Sequence, residues 1–302
     1  MAGRYGGFFT RFFTMRNRRL WQALPPRLRR LLAPAVRTVV PTTMPMEKIP
    51  RVYPTLQCNL SCPFCSDGLD YDKSRMGYES LTKEKWIEIV NALPGHAVMF
   101  TGGEPTLYPH LPEVINAIHQ IDVFLYTNLS YNVEKFFDRL TKPVLVFGSF
   151  HPNNKGVTAE RILNNIAILK NHPMCRAIEN IHTINHESNG DCDEHKRTFL
   201  AAGVELDILE DQFTTNRNTA AACNHEKLST VHCRYDRVII GPDGNRWICV
   251  SKMIRNRSEG RLPADQKAVP ELVCHEFGRC SPCDQVAEIT PVDKTARAHA
   301  TR

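Results

Sequence analysis

The sequence predicts an α/β chain built on a parallel sheet, and two observations carry that prediction. After Pro50, short apolar runs rich in β-branched residues recur six times, separated by longer segments whose apolar residues fall at helical spacing. Each run ends in polar or glycine-containing residues, the place where open α/β sheets and α/β barrels gather their ligands. Strands that alternate with helices call for right-handed crossovers and hence parallel pairing. The pattern alone admits a partial barrel of about six β/α units or a flavodoxin-like sheet.

Residues 1–50 read as a basic N-terminal extension. They hold ten Lys/Arg against the single acid Glu47, whereas residues 51–302 hold 28 Lys/Arg against 31 Asp/Glu. The net charge of +6 therefore belongs to the leader, and the mildly acidic body argues against a nucleic-acid-binding face there. The leader mixes Arg with Phe, Trp and Leu. An organellar transit peptide, an amphipathic helix on an anionic membrane surface and an Arg-rich arm for an acidic partner all fit it, beside a plain solvated extension. Arg and Pro interrupt every apolar run short of the roughly 18 residues of a spanning helix. Arg4 and Arg11 also break any secretory signal, so the eleven cysteines point to thiols in a reducing, cytoplasmic setting.

The strand runs are "RVYPTLQ" (51–57), "HAVMFTGG" (96–103), "DVFLYTNLS" (122–130), "PVLVFGSFHP" (143–152), "AIENIHTINH" (177–186) and "VELDILED" (204–211). Among the intervening helices, "LTKEKWIEIVNAL" sets Trp86, Ile89, Val90 and Leu93 on one face. "TAERILNNIAILKNH" does the same with Ile162, Leu163, Ile166 and Leu169.

Chemistry concentrates first in "QCNLSCPFCSDG", where Cys58, Cys62 and Cys65 stand close together with no fourth cysteine nearby. Structural zinc closes a tetrahedron with a fourth ligand, and disulfides use cysteines in pairs. Three thiolates suit a four-iron four-sulfur cluster with one open iron, and zinc-binding or merely buried thiols are the alternative. The spacing C-x3-C-x2-C, with Phe64 before the last cysteine, resembles the signature of the radical S-adenosylmethionine (SAM) superfamily. The resemblance implies a partial (β/α)6 TIM-like barrel over residues 51–215. It also implies a cluster whose open iron chelates SAM, and an electron that cleaves SAM to a 5′-deoxyadenosyl radical able to remove a substrate hydrogen.

"FTGGEPTLYP" ends the second run some forty residues later. Gly102 and Gly103 permit close backbone approach to a ligand, with Glu104 just beyond, and a simple turn into a helix is the plainer reading. The stretch resembles the family's GGE motif, which hydrogen-bonds the SAM amino group. The resemblance further places Asn128, Ser149 and His151 at contacts to the SAM ribose and carboxylate, although each is equally readable as a satisfied turn residue. His182 has the same standing, and Glu210 and Asp211 read as loop acids with a substrate-facing role as the alternative.

Of the remaining cysteines, Cys175, Cys192 and Cys223 lack partner spacing, while five gather near the end. "CRYDRVIIGPDGNRWICV" reads as a hairpin turning at Pro242, Asp243 and Gly244, with Cys233 before its first strand and Cys249 in its second. Cys280 and Cys283 form a later C-x2-C. Two thiolates on a hairpin and two on a knuckle can make a four-ligand site for zinc or an iron–sulfur cluster. The arrangement over 216–285 resembles a twitch domain, a shortened SPASM domain, which implies a second, auxiliary four-iron four-sulfur cluster held by Cys233, Cys249, Cys280 and Cys283. Cys274 is an extra thiol that can replace Cys233, and residues 286–302 read as a polar tail.

The function these features imply is that of a radical SAM enzyme oxidising or modifying a small molecule or peptide, reduced by a flavodoxin or ferredoxin. A non-catalytic iron–sulfur or zinc protein and an RNA-modifying radical SAM enzyme are the competing classes.

Overall fold

The computed structural model describes residues 46–65, 78–210, 229–235, 237–263, 271–277 and 288–292. Strands β1 (Arg51–Val52), β2 (Ala97–Phe100), β3 (Asp122–Thr127), β4 (Val144–Ser149), β5 (Cys175–Asn185) and β6 (Asp207–Glu210) pair in parallel, each beside its predecessor. A flavodoxin-like sheet reverses its strand order at a switch point. The unbroken order β1 to β6 is that of a TIM-like barrel wall, left partial because β1 takes a later strand, β8 (Ile239–Ile240), rather than β6 as its other neighbour.

The apolar runs of β2, β3 and β4 form strands whose two faces are both covered. Along β2, Val98 and Phe100 join the core under the helices, whereas Ala97 and Met99 turn to an inner cluster with Ile49, Phe124 and Leu145. Near-continuous hydrophobicity is what a strand buried on both sides requires.

Helix α1 (Lys83–Ala92) starts at Thr82, whose hydroxyl accepts the Lys85 N–H at 3.3 Å, and it buries Trp86 and Val90 one turn apart. Two short helices, α2 (Leu111–Ala117) and α3 (Val133–Phe137), follow β2 and β3. Helix α4 (Ala159–Asn171) is capped by Thr158 and buries Ile162, Ile166 and Leu169, stopping at His172 ahead of Pro173. Helix α5 (Cys192–Ala201) covers β5 and β6. Among the described residues, no helix is long and apolar enough to cross a membrane.

The predicted hairpin forms, but more narrowly than its apolar run suggests. Its strands are β8 (Ile239–Ile240) and β9 (Arg246–Trp247), and β8 pairs in parallel with β1, so the hairpin extends the main sheet and β10 (Arg261–Leu262) completes it. Covering the edge of β1 gives its unpaired backbone groups partners. Gly244 turns the hairpin at φ +75°, and a Cβ there would come within 2.6 Å of Ile89 Cδ1 on α1. Cys249 is not in the second strand: it follows β9 and caps α6 (Val250–Ile254), its sulfur accepting the Lys252 N–H at 3.4 Å.

Cys233 lies outside the hairpin as well. It belongs to β7 (Ser229–Arg234), the centre of a separate antiparallel sheet between β11 (Glu271–Phe277) and β12 (Glu288–Pro291). The stretch expected as a polar tail thus supplies a strand at residues 288–291.

Candidate active site

Two strand ends meet beside β1. The chain leaving β1 runs alongside the chain leaving β2, joined by Thr101 N–H to Val52 O at 3.0 Å, Gly103 N–H to Thr55 O at 3.2 Å and Glu104 N–H to Gln57 O at 2.7 Å. Glycine is required at this seam. A Cβ on Gly102 would lie 2.3 Å from Thr55 O, and one on Gly103 would lie 2.3 Å from Gln57 O and 2.4 Å from Leu56 O. The two glycines therefore bring the second strand end against the lead-in to the cysteine loop.

That loop is short and internally braced. Cys58 Sγ accepts the Leu60 N–H at 3.4 Å, and Cys65 N–H reaches Cys62 O at 3.1 Å. Phe64 is 5% exposed, with its ring centroid 5.2 Å from those of both His151 and His186. An aromatic at this position anchors the loop between the ends of β4 and β5, which gives Phe64 a packing role.

The loop faces a cavity of about 290 Å³. Cys58, Cys62, Cys65 and Phe64 line it from the first strand end and Gly102 and Gly103 from the second. Tyr126, Thr127 and Asn128 contribute from the third, Ser149 and His151 from the fourth, and His182 and Ile184 from the fifth. The sequence-predicted residues Phe64, Gly102, Gly103, Asn128 and Ser149 thus converge with the three thiols on one space.

Glu104 is not among the residues lining it. Its side chain is 1% exposed, and its carboxylate accepts Thr106 N–H at 3.2 Å, Thr106 Oγ1–H at 2.6 Å, Thr127 Oγ1–H at 2.9 Å and Asn128 N–H at 2.8 Å. Burial pushes its carboxyl up from the ordinary range, and these four donors pull it back. The residue ties the ends of β2 and β3 together beneath the cavity.

Asn128 faces the cavity with its amide already engaged. Oδ1 accepts the Ser130 N–H and hydroxyl at 2.9 and 2.6 Å, and Nδ2 donates to Asn59 Oδ1 at 2.9 Å. Asn59 returns a bond to Ser130 Oγ at 2.7 Å. The third strand end thereby holds the cysteine loop from one side. From the other side Asn154, on the turn after β4, contacts Ser61 and Cys62. Sequence reading passed over Asn59, Ser130 and Asn154, whose only advance signal was a polar residue at a strand end or between cysteines.

Burial governs three titratable groups around the cavity. Burial pushes the Cys62 thiol up to about 11, with Asn154 pulling it down and Cys58 adding to the rise, so metal uptake must displace a proton. Burial holds His151 down to about 3 and His182 to about 4, and both imidazoles are uncharged at neutral pH.

The residues present fit a thiolate-held cluster with a bound polar ligand. Three thiols that line one cavity supply the kind of donor an iron–sulfur cluster takes. In the same cavity His151 Nδ1 is sealed from solvent with no hydrogen-bond partner, which a ligand would supply.

Elsewhere, Cys233 and Cys274 share a face of the second sheet: Cys233 opposes Leu272 and Cys274 opposes Val231, making the two thiols diagonal neighbours. Burial, and then Cys274, push the Cys233 thiol up to about 11. Cys280, Cys283 and Asp211 lie outside the described residues. Glu210 is exposed at the end of β6, with both carboxylate oxygens 3.3 Å from Asn185 Nδ2.

Residues 52–199 match the family model described as the Radical SAM superfamily. Over 78 residues the chain is 38% identical to the PqqA peptide cyclase of Bradyrhizobium diazoefficiens, and 36% identical to that of Rhodopseudomonas palustris. Each match covers 25% of this chain but only 19% of the relative's length. A solved structure described as native anSMEcpe with bound AdoMet and Kp18Cys peptide aligns with 73% of this chain and 78% of its own, at 14% identity and a TM-score of 0.48. Members of the superfamily work with a four-iron four-sulfur cluster and SAM, the pair of groups that the three thiols and their cavity fit. Over residues 52–199, this chain is similar to the radical SAM superfamily.

Proposed function

We propose that this protein is a radical SAM enzyme that modifies a peptide, or a small molecule of similar polarity, after reductive cleavage of SAM. The observation that carries this reading is the convergence of Cys58, Cys62 and Cys65 with the Gly102–Gly103 strand edge on one cavity. When bound, the cluster and SAM supply an electron and a 5′-deoxyadenosyl radical that removes a hydrogen atom from the substrate.

The chain's own residues hold and enclose these groups. Cys58, Cys62 and Cys65 are the cluster ligands, and the loop that carries them is braced by Asn59, Ser130 and Phe64. Gly102 and Gly103 keep the strand edge against that loop. Glu104 fixes the second and third strand ends at a set separation, with Asn128 and Ser149 on the cavity wall. His151 and His182, uncharged, offer hydrogen bonds without adding charge. The likeness of a 78-residue stretch to peptide cyclases supports a peptide substrate. A flavodoxin or ferredoxin is the reductant this chemistry asks for.

An auxiliary cluster on Cys233, Cys249, Cys280 and Cys283 belongs to the same proposal. The pairing of Cys233 with Cys274 on one sheet face supports Cys274 as a further ligand there. Such a cluster would accept an electron from the substrate radical and favour net oxidation.

The test is SAM cleavage. Anaerobically reconstituted protein with dithionite is expected to release 5′-deoxyadenosine, and the Cys58→Ala, Cys62→Ala and Cys65→Ala triple variant to release none. Equal release from both proteins would overturn the reading.

A further inference from the structure

Resting on the reading that Cys62 holds an iron, we infer that Asn154 is a positioning residue that sets the reduction potential of the cluster through its amide. Its side chain makes two bonds into the cysteine loop. Oδ1 accepts the Ser61 N–H at 2.7 Å, and Nδ2 donates to Cys62 Sγ at 3.2 Å. The orientation of the amide follows from its partners: a backbone N–H must meet an oxygen, which leaves the NH2 group for the sulfur.

Asn154 is itself held. Nδ2 also lies 3.0 Å from Asn153 Oδ1 and 3.3 Å from His151 O. The backbone turns around it, with Asn154 N–H donating to His151 O at 3.3 Å and Val157 N–H to Asn154 O at 3.1 Å. Nor is Asn154 among the residues that line the cavity, so it meets Cys62 from the protein side and leaves the ligand space free. The amide is thus fixed in a place where the only group it can tune is the thiolate.

An N–H directed at a cluster thiolate draws electron density from the sulfur. That favours the reduced, more negative state and raises the reduction potential. Cys58 receives a comparable bond from the Leu60 N–H, at 3.4 Å, which no side-chain substitution removes. Asn154 is the nearer of two substitutable donors to the loop thiols, since Asn128 Nδ2 lies 3.9 Å from Cys58 Sγ.

The test is redox titration, by electron paramagnetic resonance, of the signal that disappears in the Cys58/Cys62/Cys65 triple alanine variant. Asn154→Asp keeps an oxygen for Ser61 N–H but replaces the donor by an anion, and Asn154→Ala removes both bonds. Both are expected to lower the one-electron equilibrium constant for reduction, Asn154→Ala by about tenfold, equivalent to about 59 mV, and Asn154→Asp by more. Asn153→Ala removes one acceptor of the same NH2 group but not its bond to Cys62, and is expected to shift the potential by less than Asn154→Ala does. Should Asn154→Ala fail to fold, Asn154→Asp still decides. An unchanged potential in Asn154→Asp would overturn the inference while the functional reading stands. A wild-type chain that takes up no cluster would overturn both.

Discussion

Gly103→Ala is expected to destabilise the metal-free chain by roughly 3 kcal/mol and to abolish iron uptake at the cysteine loop. The atoms that a Cβ would strike, Leu56 O and Gln57 O at 2.4 and 2.3 Å, belong to backbone, so no rotamer change relieves the clash. The strand edge and the loop lead-in must part, and the Glu104 N–H bond to Gln57 O, now 2.7 Å, is lost with them. Gly102→Ala meets Thr55 O at 2.3 Å and adds the strain of φ +142°, so its effect should be at least as large. Gly156 provides the control. It also has positive φ, +80°, but the nearest atom to a Cβ there is Arg161 Nη1 at an ordinary contact distance of 3.7 Å, and Gly156→Ala should cost only about 1 kcal/mol. Urea denaturation and iron content after reconstitution, measured on all three, check this; a Gly103→Ala protein as stable as Gly156→Ala would refute it.

Glu104→Ala removes the acceptor for four donors at once: the Thr106 N–H and hydroxyl, the Thr127 hydroxyl and the Asn128 N–H. Thr127 and Asn128 are 4% and 5% exposed, so water cannot freely replace the carboxylate, and the expected loss is about 3 kcal/mol. Glu104→Gln separates charge from geometry. Its oxygen can serve the three donors at Oε1, but its NH2 group then faces the Asn128 N–H, and an intermediate loss of about 1–2 kcal/mol is expected. If Glu104 instead acted by touching SAM directly, either variant would weaken SAM binding and leave the unfolding curve of the metal-free chain in place. Paired denaturation and SAM-binding measurements distinguish the two roles.

Strands β2, β3 and β4 were legible because each is a run covered on both faces and so apolar almost throughout. Strands β5 and β6, partly exposed, showed themselves by β-branched residues and position in the alternation. The run at 51–57 nevertheless contributes only Arg51–Val52 as regular strand. Pro54 has no N–H to give the ladder, and the chain beyond it bends toward the cysteines. "RWICV" misled for a related reason. Ile248 is 3% exposed, as a strand residue would be, yet burial alone does not distinguish a strand from the approach to a helix cap. Within the site, the cysteines and glycines were visible because their spacing or their lack of a side chain is written locally. Asn59, Ser130 and Asn154 were not. Asn59 meets Ser130 across 71 positions, and Asn154 meets Cys62 across 92, so only the folded sheet brings them together. Glu104 was seen as a residue but not as a clamp, since its partners come from the following strand end.

On the proposed reading, Cys58, Cys62 and Cys65 hold an iron–sulfur cluster in the cavity they line. Its most direct test is iron and sulfide per chain after anaerobic reconstitution, for the wild type and for the variant with all three cysteines changed to alanine. The proposal predicts about eight irons falling to about four, one cluster lost and the auxiliary one retained. Iron content that does not change when the three thiols are removed would contradict it.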